Sequence, residues 1–85
     1  MEDFELDLEF CVGYLILNGF QIVDLEDRIF EKIVIGDWYR IRVEFFEVSK
    51  RGIGICVYRG ASISPVFEGF CTSRSGFIME VNNEK

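Results

Sequence analysis

Histidine is missing from all 85 residues, and proline occurs once, at Pro65. Without histidine, Ser–His and Cys–His nucleophile pairs cannot be built, so any acid–base work would fall to carboxylates, cysteine or lysine. A zinc site would have to do without imidazole, and no C-x-x-C pair is present to start one. The three cysteines, Cys11, Cys56 and Cys71, are odd in number and widely spaced. That pattern argues against a secreted disulfide framework and for small buried thiols in a reducing compartment. Their neighbours are apolar (Phe10 and Val12, Ile55 and Val57, Phe70), which raises a thiol pKa and makes it inert. Long hydrophobic runs are missing too. The longest, Phe10 to Leu17, falls well short of the ~20 residues that span a bilayer. Met1-Glu2-Asp3 is acidic where a signal peptide is basic. The expectation is a cytoplasmic chain with no membrane contact and no cofactor.

Bases are scarce: nine Lys and Arg face fifteen Asp and Glu, for a net charge of −6. The imbalance is concentrated. Residues 1–32 hold nine acids against Arg28 and Lys32, whereas residues 33–74 carry a small positive excess. An acidic chain is repelled by a nucleic-acid backbone, so direct binding to one is not expected; a protein with a basic surface is the natural partner. The candidate docking residues are Glu5, Asp7, Glu9, Asp24, Glu26 and Asp27. The same acids also keep an apolar domain dispersed in water.

Apolar residues are plentiful, at 49% hydrophobic and 15% aromatic, with nine Phe, three Tyr and one Trp. The length is that of a single domain, residues 1–85, which buries only about 60–65% of its unfolded surface. So many aromatics in so small an interior raise the expectation of self-association.

The N-terminal segment carries two periods. Phe4 to Phe10 alternates as a strand does, while Phe4, Leu8, Cys11, Val12 and Leu15 form one helical stripe. Asn18-Gly19 suits either a hairpin or a helix end with Gly19 left-handed and Phe20 packing back. A helix from Asp3 to Leu17 is favoured. Its second apolar set (Leu6, Phe10, Tyr14, Leu17) requires cover on another side. Strands then follow at Phe20–Asp24, Arg28–Ile35, Trp38–Val48, Ile53–Tyr58, Val66–Thr72 and Gly76–Val81, with turns at Gly36-Asp37, Ser49 to Gly52 and Arg59 to Ser62. Pro65, lacking a donor, belongs at a strand start or an edge. The predicted fold is α+β: one N-terminal helix packed on an antiparallel meander of four to six short strands. A small all-β barrel or sandwich is the alternative.

Little here carries chemistry. Asp24-Leu25-Glu26-Asp27 lacks the ligand spacing and the turn glycine of an EF-hand. Gly52-Ile53-Gly54 is a lone G-x-G; Gly52 serves a turn, and Gly54 marks a bulge or a close contact. Arg40 and Arg42 share a strand face, Arg59 ends the next strand, and Trp38 and Tyr58 flank them. Arg beside aromatics suits anion clamping with base stacking, or a protein hot spot. The chain resembles, in size and charge only, the small acidic proteins that phages and mobile elements carry against host systems. The expected function is non-enzymatic: an inhibitor or immunity-type (anti-defence) factor that blocks a basic surface of a protein partner. The alternatives are an oligomer that sequesters a phosphorylated nucleotide and a structural or assembly subunit.

Overall fold

Asp7 opens the first helix. Its carboxylate accepts a hydrogen bond from the Phe10 amide at 2.8 Å, satisfying one of the donors a helix start leaves over. The computed structural model describes residues 6–34, 36 and 39–82, and in it α1 runs Leu8–Leu17. Residues 6 and 7 are therefore not helical, which shortens the expected Asp3 start; Phe4 lies outside the described residues. The helix ends as its sequence suggests. Gly19 takes φ +92, the Phe20 amide donates to the Leu15 carbonyl, and the Gly19 amide donates to the Ile16 carbonyl. This doubly bonded cap turns the chain back and buries Phe20.

Five strands follow, β1 Gln21–Asp24, β2 Ile29–Val34, β3 Tyr39–Ser49, β4 Gly52–Arg59 and β5 Phe67–Cys71, and then α2, Arg74–Asn82. All pairings are antiparallel and the strand order is β1-β2-β3-β4-β5, an open meander. The fold is α+β, and the sheet does not close into a barrel. Turn chemistry explains the order, because each strand connects by a short turn to a neighbour it can pair with at once. Gly52 (φ +150) and Gly60 (φ +70) supply the conformations that L side chains rarely adopt. Pro65 precedes β5, which is an edge strand.

The segment Gly76–Val81, expected as a last strand, is helical instead. The Gly76 amide donates to the Ser73 hydroxyl and the Phe77 amide to the Ser73 carbonyl, so Ser73 starts a helix. Phe77 and Val81, four apart, are both buried. A short apolar run fits a strand or a helix equally well; the Ser73 cap and the i, i+4 pair were the distinguishing signals.

The two helices cover one face of the sheet. The core combines Cys11 and Leu15 of α1 with Phe30, Ile41, Val43, Phe45, Ile53, Ile55 and Val57 of the sheet and Phe77 and Val81 of α2. α2 also accounts for the second apolar side of α1. Arg74 lies 4.5 Å from the Phe10 ring centroid, Tyr14 meets Phe77 edge to face at 6.0 Å, and the Asn82 amide donates to the Tyr14 hydroxyl. The cover that α1 needed on that side comes from within the chain, while Leu17 stays exposed.

Candidate binding face

Strict alternation along β3 sends Ile41, Val43 and Phe45 into the core and Arg40, Arg42, Glu44 and Phe46 to the other side. Among the described residues no element packs over that second face. The register lines its side chains up in rows across the strands. Gln21, Glu31, Arg42 and Tyr58 form one row, and Ile29, Glu44, Cys56 and Glu68 form the next. Beyond them a bulge at Phe46 lets its ring lie over Gly54 and meet Phe70 edge to face, with centroids 5.4 Å apart. Phe46 and Phe70 remain about half exposed, at 50% and 48%.

The arginines on this face are already engaged. Arg42 Nε lies 2.8 Å from Glu44 Oε2, and its Nη1 lies 3.4 Å from Glu31 Oε2; Arg40 Nη1 stands 3.7 Å from the same Glu31 oxygen. Together with Tyr58 and the turn from Gly60 to Ile63 they line a shallow hollow of about 350 Å³. Two of the expected anion-binding arginines and Tyr58 thus come together, with carboxylates neutralising the guanidiniums. Arg59 does not join them. It stands opposite Ile41 in the register, so it points to the helix side, where its guanidinium donates to the Val81 carbonyl at the end of α2. The expectation that Arg59 would approach Arg40 and Arg42 overlooked the parity of the strand: one residue past Tyr58 is the other face. Trp38 lies outside the described residues.

The expected acidic docking residues are dispersed. Asp7 caps α1 and Glu9 is exposed in its first turn. Asp24 accepts the Asp27 amide at 3.0 Å and shapes the β1–β2 turn, from which Glu26 and Asp27 face solvent. Glu5 lies outside the described residues. Two of the acids therefore have local structural work, and the others sit on separate elements.

The cysteines divide two to one. Burial pushes the Cys11 thiol up to about 12 and the Cys71 thiol up to about 11, so both stay protonated and unreactive at neutral pH. Cys56 corrects the expectation of three buried thiols, because it lies on the uncovered face. Its pKa is also raised, by partial burial first and then by the charges of Glu68 and Glu44, against a hydrogen bond with Tyr58. Tyr58 is shifted upward as well, by desolvation first and then by Glu44, Cys56 and Glu68, with Arg42 opposing.

Sequence reasoning did not single out Cys56, Glu44, Glu68, Phe46 or Phe70 as a group. The signal was present in β4, where Gly54, Cys56 and Tyr58 occupy alternate positions, small, small and large. Among the described residues, no cluster of three or more Cys, Asp or Glu has metal-binding geometry, and no helix is long and apolar enough to cross a membrane. No family model, curated protein or solved structure matches the chain.

Proposed function

We propose that this protein is a non-catalytic binding protein, an inhibitor or immunity-type factor, whose uncovered sheet face seats on a basic surface of a protein partner. The observation that carries this reading is the half-exposed Phe46–Phe70 pair on a face that no element covers among the described residues, in a chain of net charge −6. Aromatic and arginine side chains dominate protein hot spots, and Phe46, Phe70, Tyr58, Arg40 and Arg42 share this face. Five strands ~4.8 Å apart give a flat area on the order of 500 Å², short of the ~800 Å² per partner of a standard interface. The contact would therefore run on over the β4–β5 connection, where Ile63 is 94% exposed and Val66 53%. A phosphorylated ligand in the hollow would have to displace Glu31 and Glu44 from both guanidiniums, which favours the protein partner.

The test compares two double variants against the partner recovered from the protein's own cells. Phe46→Ala with Phe70→Ala should weaken binding at least about 30-fold, as for a hot-spot residue worth ~2 kcal/mol. Glu26→Lys with Asp27→Lys, at the β1–β2 turn, should change it only a few-fold, chiefly through the on-rate. Unchanged affinity in the aromatic variant, with the fold intact by circular dichroism, overturns the proposal.

A further inference from the structure

In the middle of the uncovered face the strand register surrounds one small side chain with larger ones on four sides, and we refer to this position as the notch. Its floor is Cys56, one of the smallest side chains on the face. Glu44 and Glu68 are the Cα partners of Cys56 on β3 and β5, so they stand on either side, one strand away each and about 10 Å apart across the sheet. Along β4, Tyr58 closes one end. The other end is closed by the Phe46–Phe70 pair, roofed over Gly54, which has no side chain to hold the rings off. Carboxylates therefore form two opposing walls and aromatic rings the other two.

We infer that this notch seats an arginine side chain of the protein partner, its guanidinium between Glu68 and Glu44 and its plane against the rings. This rests on the binding reading above and specifies the partner's chemistry. Charge complementarity selects the occupant. Glu68 has no ion pair among the described residues, while Glu44 is paired with Arg42 at 2.8 Å, so Glu68 is the carboxylate open to a new cation and Glu44 would share its charge between two guanidiniums. A guanidinium matches a carboxylate with two parallel donors and stacks on aromatic faces, which an ammonium does less well. An anion would meet two carboxylates, and a neutral apolar group would strip them of water without return. Cys56 and Tyr58 are shifted upward by desolvation first and then by the charges of Glu44 and Glu68, consistent with both carboxylates standing beside them.

The probe is the peptide acetyl-Gly-Gly-Arg-Gly-Gly-amide, titrated into the ¹⁵N-labelled protein, with lysine and glutamate versions as comparators. Saturable shifts are expected at the amides of residues 54–58 and 68–70 with the arginine peptide. The lysine peptide should give weaker shifts and the glutamate peptide none. Glu68→Gln should weaken the arginine peptide about fivefold, the effect of one exposed charge pair. Cys56→Leu, which fills the floor, should abolish the shifts, while Cys56→Ala keeps them. Shifts scattered over all acidic segments without saturation, or an affinity untouched by Glu68→Gln, overturn the inference. The two proposals fail separately. If the peptide fails here while Phe46→Ala with Phe70→Ala still releases the partner, the notch is wrong and the binding face stands. If the peptide binds while the aromatic variant keeps its partner, the notch accepts a guanidinium that this partner does not supply, and the proposed function falls.

Discussion

The ring of Phe46 rests on the backbone of Gly54 so closely that a Cβ built at position 54 would lie 2.5 Å from its Cζ. A β-bulge in β3 makes this contact, setting Phe46 out of the pairing register between Phe45 and Glu47. The bulge, the glycine and Phe70 across the sheet are one device that holds an aromatic pair on a solvent-facing surface.

Gly54→Ala should therefore push the Phe46 ring aside and break its contact with Phe70, at a cost of about 1 kcal/mol of stability. In a Phe46→Ala background the same change should be neutral or slightly stabilising, because the clash is gone and glycine is a poor strand residue. Urea denaturation of the four proteins closes this double-mutant cycle. Equal destabilisation in both backgrounds would mean that the ring does not depend on Gly54.

Arg59 and Arg40 should behave oppositely on truncation. Arg59 is partly buried and donates to the last turn of α2, so Arg59→Ala should cost about 2 kcal/mol, as for a charge-assisted hydrogen bond, and speed amide exchange at the end of α2. Arg40 is exposed, with one long contact to Glu31, and Arg40→Ala should shift stability by no more than about 0.5 kcal/mol. Similar losses in the two variants would contradict the assignment of Arg59 to the helix side.

Ellman's reagent should titrate one thiol in the native protein, Cys56, and all three in denaturant. The native reaction should keep accelerating as pH rises through the ordinary thiol value of 9.0 instead of levelling off there, since the Cys56 pKa is raised. Glu44→Gln with Glu68→Gln removes charges that disfavour the thiolate, so it should lower that pKa and quicken the reaction at pH 8. The buried thiols bear on stability. Between 9.0 and about 12 for Cys11, and 9.0 and about 11 for Cys71, the unfolded chain has lost protons that the folded chain keeps. Stability is thus intact below pH 9 and falls as pH climbs through that window. Denaturation midpoints of Cys11→Ala with Cys71→Ala should fall less steeply with pH than those of the parent, and identical slopes would count against the shifts.

Much of this architecture was legible in the chain. The alternation in Tyr39–Phe45 and Ile53–Val57 assigns each residue to one of two sheet faces, because successive strand side chains must point opposite ways. The turn residues around Gly36, Gly52 and Gly60 order the strands as neighbours, and Asn18-Gly19-Phe20 carries its helix cap in three residues. The ends of the five strands fell within one residue of expectation, whereas the sixth expected strand is α2. Tertiary structure decided the rest, since alternation reports that one face is buried but not what buries it. Phe77 and Val81 fit a strand or a helix until the uncovered side of α1 required a second helix. The parity that places Arg42 beside Tyr58 also sends Arg59 to the far side, a matter of pairing between strands. Composition and turn chemistry determined an acidic α+β meander. The notch at Cys56 came from register, because its floor and its walls belong to three strands that only pairing brings together.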